Sequence, residues 1–191
     1  MSVSLSKYSP QPPIAISPQF YLSPIRQGDQ DAYQHHFTDP TIAKNMLRLP
    51  YPYTVDNANW WIQHRESNAK NPETYFAIRR SSDGYLIGAI GTDFDMNDKT
   101  KHAADFGYWL SKEYRGQGLM ALVIKAFARH SFDKLGIHRL QANIFASNEV
   151  SGRALTKAGF VKEGLLRHYY CKDGEYIDAI SYSLIPTDPV G

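Results

Sequence analysis

The sequence predicts an α/β fold: a mixed, mostly antiparallel sheet of about six to seven strands with one parallel joint in its middle, flanked by about four helices. Three observations predict it. TYFAIRR and YLIGAIGTDFD alternate like strands and are joined by SSDG, a hairpin turn. YRGQGLMALVIKAF separates one strand, AADFGYWLS, from a helix that leads to another, HRLQANIF; a crossover of that kind sets the two strands parallel. FVKEGLLRHYYC and EYIDAISYSLI, joined by KDG, close the chain as a second hairpin.

Taken in order, residues 1–18 are rich in Ser and Pro and read as an extension that resists helix. Tyr8, Ile14 and Ile16 are its means of packing on the domain, which occupies residues 19–191. FYLSPI is a first strand, with Pro24 confining it to an edge or a strand end. A helix is predicted from Asp29 to the Asp39-Pro40 stop, and a short one around Ile42 to Leu47. Thr54 suits the N-cap of VDNANWWIQHRESNAK, where Val55, Ala58, Trp61 and Ile62 mark an apolar face. The strand hairpin, the polar turn MNDKTKH and the strand AADFGYWLS follow. Leu119, Leu122, Val123, Ala126 and Phe127 then fall at helical spacing, and Gly136 closes that helix. SNEVSGRALTKAG is a short helix with Asn148 near its cap and Gly159 at its end. No internal repeat interrupts this order.

Composition excludes several function classes. The chain has 191 residues, 42% hydrophobic and 21% charged, which suits one domain with a real core. A net charge of +2 gives no reason to expect nucleic acid or membrane as a partner. No apolar run approaches the roughly 20 residues of a membrane-spanning helix. The single cysteine, Cys171, rules out an internal disulfide and suits the cytoplasm; its strand-like surroundings predict a packed, inert thiol. His35 and His36 are helix neighbours that point apart, without a third ligand at metal spacing, so no metal is expected. They read as exposed or as lining an acceptor site.

The glycines around Gln117 admit two readings. Glycine serves many strand-to-helix turns for steric reasons. Equally, free N–H groups gather at a helix N-terminus, the dipole there favours an anion, and glycine lets a phosphate approach the backbone. Neither a P-loop nor the dinucleotide fingerprint is present: no Gly-Lys-Ser/Thr follows, and Ala121 stands where a third glycine belongs.

RGQGLM resembles the phosphate-loop motif of the GNAT superfamily of acyl-CoA-dependent N-acyltransferases, Arg/Gln-x-x-Gly-x-Gly/Ala. Arg115 and Gly118 match it, and Met120 replaces the small final residue. FGYWLSKEYRGQGLMALV, HRLQANIFASNEVSGRALTKAGF, EGLLRHYYCKDGEYIDAISYSLI and the upstream LPYPYT and NWWI look like the RimL/RimJ branch. The resemblance covers about residues 20–185. It implies a GNAT fold whose central parallel pair splays apart, and acetyl-CoA as cosubstrate. The diphosphate would be held by the amides of Arg115, Gly116, Gln117, Gly118, Leu119 and Met120, and the pantetheine arm would lie along Tyr108, Trp109 and Leu110 like an added strand.

Alternation places Asp105, Gly107 and Trp109 on one strand face and Phe106, Tyr108 and Leu110 on the other. By resemblance Asp105 stands where relatives often carry a glutamate acting as base; it is one methylene shorter, and an ordinary salt bridge explains it too. Leu155 occupies the place of the superfamily's acid tyrosine. RimL-like members have a serine where Ser151 stands, near the CoA sulfur, where a hydroxyl can donate to a developing thiolate. Asn148 either bonds the pantetheine arm or caps its helix. Arg153 and Lys157 are a solvated face or contacts to a CoA phosphate. Tyr169 and Tyr170 suit the wall of an acceptor pocket, and so do Trp60 and Trp61, although the helical phase of the two tryptophans favours core packing. Asp93 and Asp95 attract a cationic acceptor or simply end a strand. The resulting reading is an N-acetyltransferase, monomer or homodimer, whose partners are acetyl-CoA and an amine acceptor. Leu155 and the short Asp105 keep open the alternative of a catalytically silent acyl-CoA-binding module, and acyl chain length is undetermined.

Overall fold

A computed structural model describes residues 12–67, 74–92 and 102–188. The elements are β1 (Ile14–Ser17), β2 (Phe20–Pro24), α1 (Gln30–His36), α2 (Pro40–Asn45), α3 (Val55–Ser67), β3 (Tyr75–Arg80), β4 (Leu86–Thr92), β5 (Ala103–Leu110), α4 (Leu119–Asp133), β6 (Arg139–Phe145), α5 (Glu149–Lys157), β7 (Val161–Lys172) and β8 (Glu175–Leu184). The strands form one sheet in the order β1-β2-β3-β4-β5-β6-β8-β7. Every neighbouring pair is antiparallel except β5 and β6.

Among the described residues, eight strands and five α-helices stand where six to seven strands and about four helices were expected. The additional strand, β1, comes from the Ser/Pro-rich segment. It pairs with β2, and Ile14 and Ile16 pack on the sheet's core, as expected of them. Tyr8 lies outside the described residues.

Each face of the sheet has its own core. On one, Leu119, Val123, Ile124 and Phe127 of α4 and Leu155 of α5 meet Phe106 and Leu140. The buried stripe of α4 runs through Ile124 and Ala128 rather than Leu122, which is 47% exposed. On the other, Tyr33, Phe37, Ile42 and Ile62 from α1, α2 and α3 enclose Trp109. Thr54 caps α3 as predicted: Asn57 N donates to its Oγ1 (3.3 Å), and Asn57 Oδ1 accepts from Thr54 N (2.9 Å).

One ion pair ties together the first half of the chain. Arg79, buried on β3, donates through both terminal nitrogens to Asp29, at 2.8 Å each. Its Nε donates to Ser23 Oγ (2.6 Å), and the carbonyls of Pro24 and Gly84 accept the rest. Truncating either partner strands the other charge without water. Asp29→Ala should therefore lose about 3–5 kcal/mol of unfolding free energy in urea titration; a loss under about 1 kcal/mol contradicts a buried, mutually dependent pair.

Candidate active site

The parallel joint is short. β5 and β6 pair only at Ala103↔Arg139, Ala104↔Leu140 and Asp105↔Gln141. β5 continues to Leu110 bonded to β4 alone, and β6 to Phe145 bonded to β8 alone. The sheet thus divides into β1–β5 and β6–β8, and the facing edges beyond Asp105 stand apart. Such edges carry backbone donors and acceptors free to pair with an extended ligand. Gly107 lies on this stretch, with nothing within 4 Å of where its Cβ would be.

Just beyond the end of β5 lies the glycine loop. A 3-10 turn at Lys112–Tyr114 is followed by Gly116 at φ +76° and Gly118 at φ +79°, and α4 begins at Leu119. No side chain caps α4 at Gly118, so its first amides point outward without helical acceptors. Left-handed glycines turn successive N–H groups toward one concavity. A Cβ at Gly116 would meet nothing within 4 Å, whereas one at Gly118 would lie 3.1 Å from Lys157 Nζ. The loop therefore offers amides, a helix N-terminus and an ammonium to an anion, with open space before them.

Arg115 serves differently. Its amide donates to Lys112 O (3.2 Å). Its guanidinium donates from Nε to Leu110 O (2.9 Å) and from Nη1 to Thr41 Oγ1 (2.7 Å), and pairs through Nη2 with Asp39 (2.9 Å). Gln117 turns its side chain onto Glu113 O (2.9 Å). Met120 packs partly on the core; Leu119, Trp109 and Leu110 have buried side chains. The Arg115 amide and the Leu110 carbonyl are thus already engaged, which leaves the amides from Gly116 onward as the open part of the loop.

The helix face of the opening carries a hydroxyl pair. Tyr108 Oη lies 2.6 Å from Ser151 Oγ. Burial pushes the Tyr108 phenol up to about 12, against the lowering effect of the Ser151 bond. Asn148 Oδ1 accepts from Ser151 N (3.2 Å), which caps α5 and fixes Ser151 in its first turn. Gly152 permits a close approach there: a Cβ would stand 2.8 Å from Tyr182 Oη of β8, and that side chain would have to shift. The first turn of α5 thus touches both β5 and β8 across the gap. Arg153 is exposed and pairs with Glu149 at 3.4 Å; Leu155 is wholly buried.

The opposite face carries a polar group that the sequence reading only half identified. Asp105, at the last rung, accepts from Gln141 Nε2 (3.0 Å) and Asn143 Nδ2 (3.3 Å). Asn143 Nδ2 also reaches Tyr169 Oη (3.4 Å), and Tyr170 Oη donates to Asn143 O (2.9 Å). Burial pushes the Tyr170 phenol up to about 12, with Tyr169 and Asp105 adding to it. Asp105, Tyr169 and Tyr170 are therefore brought together. Gln141 and Asn143 were missed, although alternation along HRLQANIF puts both on the face of Asp105.

Other expectations need correction. Trp60 is 62% exposed and stacks on His64 (4.9 Å between centroids), so core packing holds for Trp61 but not for Trp60. His36 is buried rather than exposed or lining a site: its Nε2 donates to Leu86 O (3.0 Å), and burial lowers its pKa. Cys171 is exposed, not packed. Asp93 and Asp95 lie outside the described residues. Among the described residues, no group of three or more His, Cys, Asp or Glu converges as a metal site, and no helix is long and apolar enough to cross a membrane.

Comparison with known proteins agrees with this geometry. A family model described as an acetyltransferase (GNAT) domain matches residues 19–161. The chain is 31% identical over 148 residues, 76% of its length and 79% of the relative's, to the SPbeta prophage-derived uncharacterized N-acetyltransferase YokL of Bacillus subtilis (strain 168). It is 34% identical over 114 residues, 60% of its length and 58% of the relative's, to the ribosomal protein uS5-alanine N-acetyltransferase of Escherichia coli (strain K12). Among solved structures, Mycobacterium smegmatis RimJ in complex with CoA-disulfide superposes with a TM-score of 0.74 at 20% identity, over 87% of this chain and 82% of that one.

The glycine loop generates a direct test. Gly118→Val places a branched side chain at φ +79° beside Lys157. CoA affinity by calorimetry should fall more than about tenfold, with a stability loss of order 1–3 kcal/mol from backbone strain. A strained but folded variant that still binds CoA normally would remove the loop from the cofactor site.

Proposed function

We propose a function on a settled premise: the chain belongs to the GNAT acetyltransferase family and is an acetyltransferase. The reading is that it moves an acetyl group from acetyl-CoA to a primary amine, a peptide or protein N-terminus or a small molecule, by direct attack in a ternary complex. One observation carries it. The gap between β5 and β6 has a hydroxyl pair on one face and a carboxylate on the other, with a left-handed glycine loop and the uncapped start of α4 at its end.

Acetyl-CoA brings an activated thioester. The amides from Gly116 to Met120 and the Lys157 ammonium are placed to hold its diphosphate. The unpaired edge of β5 past Asp105 offers main-chain partners to the pantetheine amides. On the polar face, Asp105 accepts a hydrogen bond from the incoming amine and draws off its proton, directly or through water, with Gln141 and Asn143 fixing the carboxylate. On the helix face, either hydroxyl of the Tyr108–Ser151 pair can donate to the other; the arrangement with Tyr108 as donor leaves the Ser151 proton to hydrogen-bond the departing thiolate. Asn148 serves by capping α5, which sets Ser151.

The site has modest basic machinery. An α-amino group with pKa ~7.7–8.0 is about a tenth neutral at pH 7, while a lysine at ~10.4 is neutral at roughly one part in several thousand. Chain termini and small amines of depressed pKa are the favoured acceptors, and Tyr169 and Tyr170 form part of their pocket wall. The exposed free thiol of Cys171 suits a reducing compartment, the cytoplasm.

Thiol release from acetyl-CoA across peptides, amino acids, polyamines and aminoglycosides, with products read by mass, tests the reading. Ser151→Ala should lower kcat at least about tenfold and Tyr108→Phe by less, with CoA affinity within about twofold of the parent. An unchanged rate in Ser151→Ala takes that hydroxyl out of the mechanism.

A further inference from the structure

α2 is fastened at both ends by cations from two different halves of the sheet. At its start, Arg115 pairs with the N-cap Asp39 and donates to Thr41 Oγ1, while its Nε holds Leu110 O at the end of β5. Asp39 in turn accepts from Thr41 N (2.9 Å) and Thr41 Oγ1 (2.7 Å). At its finish, Lys172 Nζ donates to the carbonyls of Ala43, Lys44 (3.4 Å) and Met46 (2.9 Å). Ala43 O also accepts from Met46 N (3.3 Å), and the three carbonyls together mark the C-terminal end of the helix, where a cation is favourable.

The positions of the two cations explain what this fastening does. Arg115 follows β5, and Lys172 is the last residue of β7. β5 and β6 run parallel, and β7 and β6 are both antiparallel to β8. All three strands therefore point the same way, and both cations lie at the end where β5 and β6 have parted. Arg115 belongs to the first half-sheet and Lys172 to the second; α2 joins them across the opening. Its buried Ile42 belongs to the core on the Asp105 face of β5.

We propose that α2 is a strap across the open end of the cleft, and that Arg115 and Lys172 are positioning residues that hold it. The Arg115 side chain then serves the geometry of the acceptor face and not the diphosphate, although it stands in the phosphate loop. Its fork geometry matters: Nε, Nη1 and Nη2 each hold a different group, which a lysine cannot reproduce. The cofactor part of this inference rests on the reading that acyl-CoA occupies the cleft.

Hydrogen exchange and CoA calorimetry on the full chain test it together. Arg115→Ala and Lys172→Met should each speed amide exchange across residues 41–46 about tenfold, leaving CoA affinity within about threefold. Asp39→Asn keeps an N-capping side chain and should give part of the same effect; Arg115→Lys should restore part of the protection. In the thiol-release assay the KM for the amine should rise more than the KM for acetyl-CoA. Unchanged exchange at 41–46 in both cation variants overturns the strap. So does a CoA affinity that falls more than about tenfold in Arg115→Ala while Asp39→Asn leaves it untouched. A parent protein that binds no CoA refutes the cofactor reading alone, because exchange still decides the strap.

Discussion

The site depends on a ladder that stops early. Three residue pairs join β5 to β6, and beyond Asp105↔Gln141 the two strands keep only their outer neighbours. Each backbone hydrogen bond forgone there costs of order 1 kcal/mol net. A fold accepts that cost where the unpaired groups have another use. Here the separation lets the two faces of one sheet address a single space, with Ser151 and Tyr108 on one side and Asp105 on the other.

Because the backbone gives up the joint, side chains keep the halves in register. Gln141 and Asn143 close on Asp105 at the last rung. The first turn of α5 spans the gap from Tyr108 to Tyr182. Each half is meanwhile fastened within itself. Arg79 and Asp29 tie β3 to the loop ahead of α1 in the first, and Arg139, Glu163 and Ser183 tie β6, β7 and β8 in the second. Two internally braced bodies joined by few bonds keep a defined cleft while leaving its walls reachable.

Much of this was legible in the sequence, because strand alternation and helix periodicity follow from backbone geometry. The hairpins, the crossover at Leu119–Asp133 and the opposite facing of Asp105 and Tyr108 all come from those periods. β1 was not legible as a strand, since Pro and Ser dominate its surroundings and only Ile14 and Ile16 carry the signal. Long-range partners were not legible either. Nothing local in RGQG says that Arg115 reaches Thr41, 74 residues away. Trp60 and His36 were misjudged for a related reason: helical phase separates faces, but which face meets the sheet is set by the packing of α1 and α3 on β4 and Trp109.

The glycine loop shows how one short stretch serves two neighbours. Gly116 and Gly118 adopt left-handed conformations, so their amides and the start of α4 face open space. Arg115, adjoining them, turns its charge the opposite way, onto α2 and the end of β5. Paired with Asp39, the Arg115 guanidinium is spent away from the concavity, and the ammonium beside Gly118 is that of Lys157 from α5. Lys157 lies about 1.7 helical turns beyond Ser151, on the helix that carries the hydroxyl. The ammonium beside the loop and the Ser151 hydroxyl are therefore both set by the placement of a single element, α5, whose own position is fixed by Asn148 at its cap and by the close approach of Gly152 to Tyr182.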